Sequence, residues 1–267
     1  MVARLLRLVL TSVAAGAAVS AAYAQSAPAI PAEQTVRDVV LVHGAFVDGS
    51  GWRGVYDDLT ARGYRVHIVQ NPLTSLEDDV AATVRVLDSQ AGPVVLVGHS
   101  WGGTVITEAG THPKVAGLVY VSALAPDAGE TTAQQYKGYP AASEFVIDTS
   151  ADGFGIVRPG RFHSGFAADL DEADAIFLQA SQLPIRMSAF ETVLTNAAWR
   201  EKPSWAVIAA QDRAFGQGML LGMARRIGAR IVEIPGSHAA FISQAGRVAE
   251  VIDDAARSLS QAAGRGD

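Results

Sequence analysis

Three residues set far apart in this chain have the types needed to break an acyl bond by nucleophilic attack: Ser100, Asp212 and His238. Ser100 lies in Gly98-His99-Ser100-Trp101-Gly102, a fit to the pattern G-x-S-x-G. A serine hydroxyl is a weak nucleophile until a base takes its proton, so this chemistry needs an imidazole, and the imidazole needs a carboxylate to orient it. His238 and Asp212 are the candidates. Asp212 is favoured as the carboxylate because it directly terminates its strand; Asp127 and Glu130 stay open, since they follow the strand after the Ser100 turn, though several residues beyond its end. The other histidines read differently: His43 closes a strand as a structural residue, and His99 packs beneath the serine. His67 lies within a strand, His112 in a turn before Pro113, and His163 in a segment that could touch a substrate.

The elements that must position these residues follow from the apolar pattern. Residues 93–97 form an apolar run bounded by Gly and Pro, read as a strand buried on both faces, and residues 101–109 read as the helix packed on it. A strand that becomes a helix within about one residue leaves no room for side chains at positions 98 and 102, which explains the two glycines. Further strands are predicted at 36–42, 64–69, 115–122, 204–210 and 229–234. Helices are predicted at 52–62, closed by Gly63, and after Thr74, where Thr74 and Glu77 have capping-box spacing and Val80, Val84 and Leu87 share a face. Two more are expected at 217–227 and from 239 to about 259, the last with Phe241, Ala245, Val248 and Ile252 on its buried side. Such alternation predicts an α/β fold: a mostly parallel sheet with helices on both faces. Ser100, Asp212 and His238 then each follow a strand, at the carboxyl ends where open α/β sheets place their sites.

The alternation lapses over residues 123–203, a stretch rich in scattered aromatics, with helical patterning at 169–182 and 188–200. It is expected to be a small helical cap lying over the strand ends and supplying the pocket. Two backbone N–H donors would complete the site, one from Trp101 and one from Ala45 or Phe46 in the loop after the first strand. Gly44 lets that loop pass close to a bound carbonyl.

Composition narrows the function classes. Arg4 and Arg7 precede a short apolar run and the triplet Ala22-Tyr23-Ala24, the layout of a secretory signal peptide over residues 1–24. The expectation is export to the periplasm or medium, then a flexible lead-in at 25–35, a domain at 36–262 and a flexible tail at 263–267. Cleavage would leave 19 basic residues against 27 acidic ones, a net charge of −8 that disfavours nucleic acid and anionic membranes. The chain has no cysteine, which excludes disulfides, thiolate metal sites and a cysteine nucleophile. Nothing in the sequence calls for a metal or cofactor; the expected partner is a small-molecule ester.

Taken together, these motifs resemble the α/β-hydrolase superfamily over residues 36 to about 259. His43-Gly44 looks like its oxyanion loop, residues 98–102 like its nucleophile elbow, and Asp212 and His238 like its acid and base. The HGAF loop, the GHSWGG elbow and the Gly-Ser-His ending are similar to the branch holding small esterases, plant-type methylesterases and hydroxynitrile lyases. The resemblance implies a cofactor-free acyl hydrolase. Little chain precedes residue 36 for the two leading strands of larger members, so a six-stranded core is expected. Superfamily members that open epoxides or displace halide carry Asp at the elbow, which Ser100 argues against. A lyase of this branch adds a lysine near the leaving group, and Lys137 and Lys202 are the only lysines of the insertion.

Overall fold

The computed structural model describes residues 35–264. The expected signal peptide, nearly all of the lead-in and residues 265–267 lie outside the described residues. Six strands form one parallel sheet: β1 (Asp38–Val42), β2 (Arg65–Val69), β3 (Val94–His99), β4 (Val115–Val121), β8 (Ser204–Ala209) and β9 (Arg230–Ile234), in the order β2-β1-β3-β4-β8-β9. Every residue of β1, β3 and β8 is buried, so both faces of the sheet are covered, and their continuous Val/Leu/Ile/Ala runs are what such strands require. The covering helices include α1 (Arg53–Ala61) packed with α8 (Ala245–Ala263), α2 (Leu76–Asp88) packed with α3 (Gly102–Ala109), and α6 (Gln217–Arg226) against β8 and β9. No helix among the described residues is long and apolar enough to cross a membrane.

Several local expectations shift by a residue or a turn. The cap of α2 is Ser75, whose extended backbone lets its hydroxyl accept the Asp78 N–H at 3.0 Å; Thr74 instead donates to the Asp78 carboxylate. The inward stripe of α2 is Leu76, Asp79, Thr83 and Leu87, with Val80 and Val84 only half-buried on its flank. A single 3₁₀ turn, Gly49–Trp52, leads into α1, with the Asp48 carboxylate accepting the Ser50 N–H at 2.7 Å. Gly63 ends α1 at φ +85°, the left-handed conformation expected of it. The last helix breaks at Gln244 into α7 (Ala240–Ser243) and α8, which continues to Ala263.

The larger correction is the cap, which is not simply helical. It holds a three-stranded antiparallel sheet of β5 (Ile147–Thr149), β6 (Phe154–Val157) and β7 (Ile185–Arg186), beside α4 (Phe162–Gly165) and α5 (Glu172–Ala180). The β5–β6 hairpin turns at Asp152-Gly153, with Gly153 at φ +84°, a turn chemistry visible in the sequence between two β-branched segments. Residues 188–200 form no helix, only the 3₁₀ turns Met187–Glu191 and Ala198–Arg200. Between them Thr192, Val193, Thr195 and Asn196 weaken helix formation, and Thr131 bridges to Val193 in an antiparallel pair.

Candidate active site

The turn from β3 into α3 puts Ser100 at φ +53°, a strained backbone for a residue with a Cβ. The neighbouring glycines are sterically required. A Cβ at Gly98 would lie 2.4 Å from the Gly102 carbonyl oxygen, one at Gly102 2.6 Å from that of Val42, and one at Gly103 2.2 Å from that of Leu124. Close packing of helix, strand and loops therefore drives the serine outward, and its side of the turn is left just accessible, 6% exposed.

Asp212 and His238 arrive where their strands end. Asp212 Oδ2 lies 2.7 Å from His238 Nδ1, and His238 Nε2 lies 2.8 Å from Ser100 Oγ. The other carboxylate oxygen of Asp212 accepts the N–H groups of Ala214 and Phe215 at 2.8 and 2.9 Å, which fixes the carboxylate plane. His238 is fully buried, with the rings of Phe215 and Phe166 edge-on at 4.7 and 4.9 Å. Its loop is gripped by the cap: Ala239 N–H donates to the Phe166 carbonyl at 3.0 Å, and Ser237 donates to Asp169. In this order, carboxylate, imidazole and hydroxyl can pass the Ser100 proton to His238 while Asp212 holds the ring and stabilises the imidazolium that forms.

Asp127 and Glu130 are not brought to His238. Asp127 pairs with Arg200 at 2.8 Å and Glu130 with Arg226 at 2.9 Å, two links that fasten the start of the cap. Among the other histidines, His99 is buried under the serine as expected, and its Nε2 lies 2.9 Å from the His238 carbonyl oxygen. Burial holds the His99 imidazole well below its ordinary range, so it is neutral and its Nε2–H donates. His43 is structural: Nε2 accepts the Asn71 N–H at 2.8 Å, and Nδ1–H donates to the Gly44 carbonyl at 2.8 Å. His163 and His112 turn to Leu170 and Asp88, away from the site, and His67 stays within β2.

Gly44 touches the serine closely, since a Cβ there would come 2.7 Å from Ser100 Cβ. Ala45 and Phe46 follow directly, both buried, with Phe46 in the left-handed region at φ +67°. On the other side Trp101 opens α3. The first hydrogen bonds of that turn are given by Gly103 and Thr104 to the carbonyls of Ser100 and Trp101, and the Trp101 N–H stands ahead of them at the positive end of the helix. A cleft of about 450 Å³, lined by Ala133, Tyr136, Ile147, Met187, Ser188, Phe190 and Glu191, reaches Trp101 through the Phe190 ring, with none of Ser100, Asp212 or His238 in its own wall. The Phe190 ring lies tilted against Trp101 with centroids 4.9 Å apart, and Tyr136 meets Phe215, which itself touches His238. A larger groove of about 710 Å³ runs along the cap sheet past Asp148, Phe154 and Leu183, with none of Ser100, Asp212 or His238 in its wall.

One residue at the site escaped the sequence reading. Asp79 is buried in the stripe of α2, and its Oδ2 accepts the Trp101 indole N–H at 2.7 Å. The signal was its position at i+3 from Leu76 and i−4 from Thr83, a charged residue on a face that otherwise goes inward.

Residues 39–251 match the model of the alpha/beta hydrolase family. The chain is 27% identical to the pyrethroid hydrolase of Sphingobium wenxiniae over 250 residues, 82% of this chain and 88% of that one. It is 33% identical over 107 residues to a carbendazim hydrolyzing esterase of Nocardioides sp., 34% of this chain and 44% of the other. The crystal structure of a pyrethroid hydrolase from Sphingobium faniae superposes with a TM-score of 0.70 at 26% identity, covering 84% of this chain and 98% of that one. Polyneuridine aldehyde esterase, at 20% identity and a TM-score of 0.72 over 82% and 98% of the two chains, shares the fold. A family match over most of the chain, on a six-stranded parallel sheet that carries its serine at a strand-to-helix turn, places this protein in the alpha/beta hydrolase family.

Proposed function

We propose that the protein is a serine carboxylesterase that cleaves small or medium apolar esters or lactones through an acyl-enzyme on Ser100. The carrying observation is the hydrogen-bonded line from Asp212 through His238 to Ser100, at 2.7 and 2.8 Å. Ser100 Oγ attacks the ester carbonyl while His238 Nε2 takes its proton. The N–H groups of Trp101 and of Ala45, or Phe46 beside it, receive the negative charge that develops on the carbonyl oxygen. His238 then gives the proton to the leaving alcohol, and a water activated by the same imidazole releases the acid.

The cleft beside Trp101, walled mostly by Tyr136, Ile147, Met187 and Phe190 with the carboxylate of Glu191 at its edge, supports a largely apolar substrate without negative charge. The names of the relatives, a pyrethroid hydrolase and a carbendazim hydrolyzing esterase, agree with ester chemistry. No observation favours the lyase reading. Lys202 precedes β8 and so sits at the opposite end of that strand from Asp212, while Lys137 is an exposed residue after the Ala133–Tyr136 turn.

The test is hydrolysis of p-nitrophenyl esters of graded acyl length by the wild type and by Ser100→Ala. Turnover in the wild type, lost by a factor of about 10⁴ or more in the mutant, is expected. Wild-type turnover that survives in Ser100→Ala would remove the acyl-enzyme mechanism.

A further inference from the structure

The chemistry above leaves a buried carboxylate, that of Asp79, without a part. Its Oδ1 accepts the Leu73 N–H at 2.8 Å and its Oδ2 the Trp101 indole N–H at 2.7 Å. Among the described residues the one charged group acting on it is Asp78, of like sign. Burial pushes the Asp79 carboxyl up to about 6, against the pull of the two N–H donors. A buried carboxylate with no cation is costly, and an apolar residue would suit that stripe better. Nor does α2 need it as a cap, since Ser75 fills that position.

The Trp101 donor belongs to the turn that carries Ser100, and the Leu73 donor to a turn that holds the cap. Trp101 is the residue whose backbone N–H faces the developing oxyanion in the proposed reaction, and its ring lies tilted against Phe190. Leu73 is held at φ +58°, and its carbonyl accepts the N–H of Arg186, the cap residue that leads into the Met187–Glu191 turn carrying Phe190. A closed circuit results, from Asp79 to Trp101, across the ring contact to Phe190, back along the cap to Arg186, and through Leu73 to Asp79. A change at the carboxylate therefore reaches the helix start and the cleft wall together.

We propose that Asp79 is a positioning residue for hydrolysis at Ser100: by tying the Trp101 indole to the Leu73 turn, it sets the direction of the Trp101 N–H and the place of the Phe190 wall. This rests on the serine reading given above. An asparagine at 79 keeps the shape but offers an N–H₂ to one of the two N–H donors, so one contact is lost.

The experiment measures kcat and KM on p-nitrophenyl butyrate for the wild type, Asp79→Asn, Trp101→Phe and the double mutant, with active sites counted by a fluorophosphonate and Tm recorded. Trp101→Phe removes the indole N–H and keeps a ring against Phe190. Each single change is expected to lower kcat roughly 10- to 100-fold, because misaimed donors weaken the transition state rather than the ground state. KM should move by less than about 3-fold, and the double mutant should fall no more than about 3-fold below the worse single, as for two ends of one contact. Wild-type kcat per counted site in both singles, with only Tm lowered, would show Asp79 to be a fold residue and overturn the assignment. So would losses that multiply in the double mutant. If Asp79→Asn does not fold, Trp101→Phe decides by the same kcat criterion. Loss of activity in Ser100→Ala beside unimpaired Asp79→Asn and Trp101→Phe would sink this assignment alone, whereas hydrolysis surviving Ser100→Ala would sink the serine reading and this with it.

Discussion

The two carboxylate oxygens of Asp212 act differently, one accepting two backbone N–H groups of its own turn while the other faces His238 Nδ1. An asparagine at 212 would keep the first set and reverse the second, presenting an amide N–H₂ to the ring and favouring the wrong imidazole tautomer. Asp212→Asn is therefore expected to lower kcat by roughly 10⁴-fold with the fold intact. Asp127→Asn, whose side chain faces Arg200, should stay within about 3-fold of wild type, since exposed ion pairs contribute little. Steady-state kinetics with circular dichroism on both variants checks this; the reverse pattern would reassign the acid. Ser100, His238 and the preference for Asp212 were legible because each follows directly on a strand, whereas the reason Asp127 and Glu130 turn elsewhere lies in the ion pairs that Arg200 and Arg226 make. Those arginines lie about 70 and 100 residues along the chain, and no local pattern links them to their carboxylates.

At the scale of elements, the cap is fastened where it rejoins the core. Glu108 on α3 accepts the N–H groups of Thr195 and Asn196 at 2.9 and 3.0 Å and the Asn196 side-chain amide at 2.7 Å, and Thr195 also donates its hydroxyl. At the other end Arg226 holds Glu130 and the Ala125 carbonyl, and the Trp199 indole donates to the Pro126 carbonyl at 3.0 Å. Glu108→Ala is expected to lower stability by about 1–3 kcal/mol, because it strips one acceptor from several donors at once. Limited proteolysis should then cut faster within residues 123–203; an unchanged cleavage rate and Tm would mean that the cap is held by its other contacts. The cap is also where the sequence reading fell short. Its hairpin was announced by Asp152-Gly153, yet its strands are only two to four residues long, too short for alternation to stand out. Strand-to-helix alternation in the core suffered no such ambiguity, because each apolar run there is bounded by Gly or Pro.

For the whole molecule, Asp79 contributes a pH dependence of stability whose sign can be stated. Its carboxyl, pushed up to about 6 chiefly by burial, keeps its proton more tightly in the folded chain than in the unfolded one. The stability tied to that proton is present at low pH and is lost as pH rises from about 4 through about 6, a change of ~3 kcal/mol for a shift of that size. Its hydrogen-bond donors, the Trp101 indole and the Leu73 N–H, are uncharged, and the neighbouring Asp78 adds like charge. Urea unfolding of wild type and Asp79→Asn at pH 4 and pH 7 isolates the effect. Relative to the mutant, wild type should be more stable at pH 4 than at pH 7, and equal differences at the two values would show that Asp79 titrates normally.

By itself the sequence determined the α/β class, the six parallel strands of the core and the residues able to act at their ends. It could do so because buried parallel strands must be continuous apolar runs and because a serine forced into an elbow demands glycines around it. Tertiary structure alone decided where Asp127 and Glu130 turn, how the cap folds, and that Asp79 reaches Trp101. Each of these depends on contacts between segments distant along the chain, made where loops and short elements pack against one another without a periodic pattern to announce them.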